Sequence, residues 1–247
     1  GLEKELGSQL FVRKKGSVAL TEKGALFYQY VSTSLRFLNE GIKLAQDDPF
    51  SKKEIRMGSI YSAQSKEWSN LIYEFRKQTK QEVTFNLIQA PADTLHSKLN
   101  NGSLDIAFID KPITTSEIES IPCWTQELRL LVNKRHPLAK RASVSLNDLV
   151  GHYLISYDLK TSLGKALANL IGENSLQVGY RYADEITLAS IVLANPDVLA
   201  LAYSDEVCFL TVDEVPQDFR QLYIAFRLSA CKNTAIEEFL ALAKRMF

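Results

Sequence analysis

Ile55-Arg56-Met57-Gly58-Ser59-Ile60-Tyr61-Ser62-Ala63-Gln64-Ser65 decides the fold. The first six residues are an apolar stretch of strand length. The next five are short and hydroxyl-rich, and Trp68, Leu71, Ile72 and Phe75 follow at helical spacing. The reading is strand, turn, helix. The grammar repeats. Val83–Ile88 predicts a second strand, Leu95 and Leu99 a helix ending near Gly102, and Leu104–Ile109 a third strand. Such alternation predicts a parallel sheet with helices on its faces. A second series follows: a strand at 153–156, a helix at 162–171, a strand at 176–182, a helix at 186–193, strands at 198–202 and 221–226, and a closing helix at 234–246. The expected fold class is therefore α/β, with two lobes.

Ligands of open α/β sheets sit beyond the carboxyl ends of strands, and clefts between lobes are favoured pockets. The polar stretches that follow strands are thus the candidate site. Tyr61, Ser62, Ala63, Gln64 and Ser65 follow the first strand, and Ala90, Pro91 and Ala92 the second. Ser156 and Tyr157 end a strand of the second series, Asp184 opens a helix there, and Ala202 and Tyr203 end another strand. Free backbone N–H groups at helix starts, with hydroxyls beside them, suit a small polar or anionic metabolite. Helix capping alone is the competing reading at each position.

Upstream of Glu54 the pattern differs. Leu10-Phe11-Val12 and Val18-Ala19-Leu20 flank Arg13-Lys14-Lys15-Gly16-Ser17, which predicts a small hairpin with a basic turn. Arg13, Lys14 and Lys15 are candidates for contact with DNA phosphates or the minor groove. Thr21 is a good N-cap for a helix over 22–46, about 37 Å long. Its apolar stripe, with Phe27, Val31, Leu35 and Leu38, is wide enough to pack on a partner helix as well as on its own chain. Asp47-Asp48-Pro49-Phe50-Ser51 reads as a linker.

The 247 residues exceed one ordinary domain and can bury a sizeable core. Twenty-nine basic and 29 acidic residues give zero formal net charge, so most of the chain is no nucleic-acid coat. Cys123, Cys208 and Cys231 have neither zinc spacing nor an even disulfide count, which points to a reducing cytoplasm. No apolar run approaches the ~20 residues that cross a bilayer. The start, Gly1-Leu2-Glu3-Lys4-Glu5-Leu6-Gly7, reads as the inside of a domain whose earlier helices are missing. An enzyme is not expected. His96, His136 and His152 form no HxxxH or HExxH pair, and GxSxG, GxGxxG and Walker motifs are absent from the sequence. No metal site and no cofactor are expected.

Several stretches together resemble the LysR-type transcription regulators. Residues 2–13 look like the segment that closes the winged helix-turn-helix of that family, and Leu20-Thr21-Glu22-Lys23-Gly24 like the start of its linker helix. Asn101-Gly102-Ser103-Leu104-Asp105-Ile106-Ala107 resembles its G-x-L-D-x-A pattern. His136-Pro137-Leu138-Ala139 with Val144-Ser145-Leu146-Asn147-Asp148-Leu149 resembles its middle loop. Ala194-Asn195-Pro196-Asp197-Val198 departs from the family, placing proline where it often turns through glycine.

The resemblance implies a two-lobed sensor domain like a periplasmic binding protein, preceded by a wing remnant and a long linker helix. Residues 1–21 would be the end of the DNA-binding domain, 22–50 the dimerisation helix and hinge, and 54–247 the effector-binding domain. Lobe one would be 54–130 plus 223–247, and lobe two 131–222. It further implies a ligand-responsive regulator in the cytoplasm, a homodimer or homotetramer, with a small-molecule effector. Operator DNA would be a partner of the full-length protein, and no membrane would be involved. A solute-binding protein of a transport system would share the two lobes, but the hairpin and the long helix argue against it.

Overall fold

The computed structural model describes residues 1–14, 17–45, 53–63, 65–203 and 209–247. Lys15, Gln64 and the expected linker at 47–51 lie outside them. At the amino end, α1 (Leu2–Leu6) stops at Gly7, whose φ of 61° favours a residue without Cβ. The Glu3 carboxylate accepts the backbone N–H groups of Leu10 at 2.6 Å and Phe11 at 3.0 Å. This ties α1 to the hairpin of β1 (Phe11–Lys14) and β2 (Ser17–Leu20), which pair antiparallel. Arg13 and Lys14 therefore sit at the end of β1, next to the turn. Thr21 caps α2 (Glu22–Ala45): its hydroxyl accepts the Gly24 N–H at 2.9 Å and donates to the Gln9 carbonyl at 2.8 Å.

Lobe one is a five-stranded sheet. Its parallel part is β3 (Lys53–Ser59), β4 (Val83–Gln89) and β5 (Ile106–Ile109). β6 (Ile118–Gln126) belongs to this sheet and β7 (Arg129–Leu131) to the other. Helices α3 (Lys66–Gln78) and α4 (Ala92–Asn100) cover lobe one. Leu71, Phe75, Leu95 and Leu99 are their buried faces, as the sequence spacing requires. Asp105, at the mouth of β5, accepts Arg56 Nε at 2.9 Å and the Arg56 backbone N–H at 3.0 Å. It is a structural ion pair.

Lobe two contains β8 (Ser143–Val144), β9 (Tyr153–Tyr157), α5 (Ser162–Glu173), β10 (Val178–Tyr182), α6 (Glu185–Ala194), β11 (Val198–Ala202) and β12 (Phe209–Val212). Its sheet order is β10-β9-β11-β7-β12-β8. The chain then returns to lobe one through β13 (Arg220–Arg227), giving that sheet the order β4-β3-β5-β13-β6, and α7 (Thr234–Met246) packs on it. Each lobe has its own apolar core.

One sequence expectation changes. Both sheets are mixed, not parallel: β13 runs antiparallel to β5 and β6, and β7 antiparallel to β11 and β12. The strands that cross between lobes have no helix before them to reverse the chain, so they enter in the opposite sense. The chain crosses between the lobes just before β7, which begins at Arg129, and just before β13, which begins at Arg220.

Below β8, Ser145 and Asp148 form a reciprocal cap on a short 3₁₀ turn, and Arg141 pairs with Asp148 at 2.7 Å. The Ser145 backbone N–H first, then Arg141 and the Ser145 hydroxyl, hold the Asp148 carboxyl down to about 2. A folded value below the ordinary 3.8 means that ionised Asp148 favours the folded chain. That contribution is full above 3.8 and is lost as pH falls to about 2. Asp148→Asn is expected to flatten the acid dependence of the urea midpoint in this window. An unchanged slope would assign the acid response to other carboxylates.

Candidate functional site

The polar groups that join the lobes converge on Arg220, the first residue of β13. It is 9% exposed. One guanidinium nitrogen donates to the Ser62 hydroxyl at 2.7 Å and to Gln126 Oε1 at 3.3 Å. The other donates to Asp110 Oδ2 at 2.7 Å and reaches the Ser162 hydroxyl at 3.5 Å. Ser162, at the start of α5 in lobe two, donates to the same Asp110 oxygen from across the cleft. The guanidinium carbon also lies 5.8 Å from the centre of the Tyr203 ring, again in lobe two. Arg220 thus holds Ser62, Gln126 and Asp110 of lobe one against Ser162 and Tyr203 of lobe two.

The network continues into lobe two. The Tyr203 ring lies beside that of Tyr157, with centres 6.3 Å apart and planes tilted by 33°, and the Tyr203 backbone N–H donates to the Tyr157 hydroxyl at 3.1 Å. That hydroxyl donates to Glu185 Oε1 at 3.0 Å. Burial, then the Glu185 charge, pushes the Tyr157 phenol well above its ordinary value, so it remains a donor. Burial also raises the Glu185 carboxyl. Burial pushes Asp110 the same way, but Arg220 and the Ser162 hydroxyl outweigh it, and its pKa is lowered. Asp110 is therefore ionised at neutral pH, in a site that excludes most water.

The sequence expectations divide clearly. Ser62, Tyr157 and Tyr203 belong to this cluster. Ser156 is 1% exposed on the neighbouring position of β9, and its hydroxyl has no hydrogen-bond partner among the described residues. Tyr61 is half-exposed beside Ser62. Four candidates are otherwise engaged. Ser65 caps α3 and Asp184 caps α6, so their oxygens serve their own helices. Ala63 and Ala202 are fully buried in the two cores and present no side chain to a cleft. Ala90 is buried, Pro91 precedes α4 and Ala92 begins it. Ala90 and Ala92 belong to the packing of α4 on lobe one, whereas Pro91 is exposed at the start of the helix.

Arg220, Gln126, Ser162 and Glu185 were missed. Ser162 and Glu185 open helices after strands, the very pattern used to choose candidates. Asp110, which the sequence shows only as a carboxylate just after a strand, gains its role from Arg220.

Gly164 fixes the start of α5. A Cβ there would lie 2.0 Å from the Asp158 carbonyl oxygen, and the Gly164 N–H is capped by Thr161 at 2.9 Å. Gly164→Ala is expected to cost about 1–3 kcal/mol of stability through forced backbone movement. It should also displace Ser162 from Asp110. Urea denaturation checks the first point. A fully stable variant would show that this turn moves freely.

Comparison with known proteins gives these lobes a family. Residues 51–247 match the family model described as the LysR substrate binding domain. An uncharacterized HTH-type transcriptional regulator of Bacillus subtilis (strain 168), YybE, is 27% identical over 199 residues, covering 78% of this chain and 67% of that protein. Among solved structures, full-length CbnR complexed with its target DNA superposes with a TM-score of 0.73 at 16% identity, covering 100% of this chain and 87% of that one. The effector binding domain of QuiR in complex with shikimate gives a TM-score of 0.66 at 23% identity, covering 80% of this chain and all of that domain. At these identities the structures speak for the fold, whereas the family model spans most of the sequence. The two lobes, the single return crossing through Arg220 and the match over 51–247 place this chain in the LysR family of transcription regulators.

Proposed function

We propose that the two lobes sense a small polar metabolite between them, and that α2 transmits the outcome to a DNA-binding head. The observation that carries this reading is the buried network around Arg220, which joins groups of both lobes. A ligand that prefers one lobe arrangement shifts the population by its difference in affinity. The relatives fit such a role: one similar domain is bound to shikimate, and one similar full-length protein to its target DNA.

In this reading Arg13, Lys14 and Lys15 contact operator DNA in the full-length protein, the chain acts in the cytoplasm, and it needs neither catalysis nor a cofactor. A homodimer or homotetramer forms through α2. Leu35 and Leu38 are exposed in the single chain at 55% and 59%, while Phe27 and Val31 are half-buried. Exposed apolar groups in one stripe favour a partner helix. Arg227 over the Phe37 ring, 5.4 Å from its centre, couples α2 to lobe one.

The test is a calorimetric metabolite screen, repeated with Ser62→Ala and Ser156→Ala. Ser62→Ala removes a partner of Arg220, which costs about 1.5–3 kcal/mol of stability, and it is expected to weaken ligand binding by loosening the guanidinium that joins the lobes. Unchanged affinity in both variants would remove the site from this part of the cleft.

A further inference from the structure

The cluster contains more than its internal bonds. Asp110 Oδ1 and the Tyr203 hydroxyl are buried, and neither has a hydrogen-bond partner among the described residues. The Asp110 side chain is 6% exposed and Tyr203 is 7% exposed. Both lie around Arg220, whose two terminal nitrogens are already committed to Ser62, Gln126, Asp110 and Ser162. Resting on the interlobe reading above, we propose that the ligand presents hydrogen-bond donors, an ammonium or a hydroxyl, to Asp110 Oδ1 and the Tyr203 hydroxyl, and that a carboxylate is rejected there.

The chemistry is one of complementarity. An ionised carboxylate oxygen only accepts, so its missing partner must donate. A ligand carboxylate placed against it would set two like charges in a poorly hydrated site. Arg220 does not offset this, because it is paired with Asp110. Glu185, which accepts the Tyr157 hydroxyl at 3.0 Å, puts a second carboxyl near the cluster. The phenol of Tyr203 can accept from the ligand or donate to it, so it tolerates an amine or an alcohol equally.

Three matched probes separate the possibilities: trans-4-aminocyclohexanol, cyclohexane-1,4-diol and 4-hydroxycyclohexanecarboxylate. Backbone amide shifts of the whole chain in NMR titrations give both the affinity and the place of binding. The amine and the diol are expected to move the amides of Asp110, Ser162 and Tyr203, the amine binding more tightly, with the carboxylate inert there. Asp110→Asn is expected to weaken the amine about tenfold, the loss of one charge-assisted hydrogen bond, and to weaken the diol less, because its hydroxyl can still donate to the neutral asparagine carbonyl. Tyr203→Phe keeps the ring and covers the case in which Asp110→Asn fails to fold. It should weaken both donor probes several-fold. A carboxylate that binds these residues as well as the amine overturns the donor chemistry but leaves the interlobe site standing. Probes that move only amides outside the cluster, or none at all, overturn the proposal, and binding elsewhere also removes the interlobe site.

Discussion

Arg220→Ala is expected to destabilise the chain by about 3–5 kcal/mol, the usual cost of removing one partner from a buried ion pair. The Asp110 carboxylate is left without its cationic partner in a site where its side chain is 6% exposed, with the Ser162 hydroxyl still donating to it. Ser62 and Gln126 lose their shared donor as well. Desolvation of Asp110 then loses its strongest opposition, and its pKa rises relative to the parent chain. The pH dependence follows in sign. In the parent chain a lowered Asp110 pKa adds stability at neutral pH that is lost on acidification. In the variant that contribution is smaller, so the gap between the two narrows as pH falls. Asp110→Ala combined with Arg220→Ala should cost less than the sum of the single changes, because no charge is left buried and unpaired. Urea denaturation of the four proteins at two pH values measures all of this. An additive cycle would mean that the pair contributes little to joining the lobes.

Phe239→Ala is expected to have an effect of similar size for a different reason. Phe239 is fully buried and meets Phe75 at 5.3 Å and Phe85 at 6.2 Å between ring centres, edge to face. Phe75 and Phe85 meet at 5.8 Å, so the triad pins α3, β4 and α7 to one another. Removing one ring from such a core costs about 3–5 kcal/mol, from lost burial plus the cavity left behind. The loss should fall on lobe one. Hydrogen exchange is expected to speed up in α3, β4 and α7, with lobe two retaining its protection. Uniform loss in both lobes would mean that they unfold as one cooperative unit.

Much of this architecture is legible in the sequence because its main strands and helices are long enough to show a period. Val83–Gln89 and Ile106–Ile109 are read from apolar runs, and α7 from Ile236, Phe239, Leu240 and Ala243 on one face. The mixed character of the sheets is hidden. β6 is an edge strand containing Pro122, and its pairing with β13 shifts register between Gln221 and Tyr223, so its buried residues Ile118, Ile121 and Trp124 do not alternate. β7 and β8 have three and two residues, too few to show any period.

The site divides along the same line. Ser62, Tyr157 and Tyr203, which join the Arg220 cluster, can be singled out in the sequence because each lies at or just beyond a strand end, a local property. Arg220 cannot be, because its role is non-local. It meets Ser62 across 158 residues and Asp110 across 110, and only the return of the chain from lobe two to lobe one brings them together. The alanines and helix caps chosen alongside them share the right position but offer no free side chain.

The most direct measurement is a co-crystal structure with whichever metabolite binds most tightly by calorimetry. The ligand is expected within hydrogen-bonding distance of Asp110 and Tyr203, touching both lobes around Arg220. A ligand seated instead in the surface hollow between α2 and lobe one, against Tyr28, Ser32 and Lys98, would contradict the account.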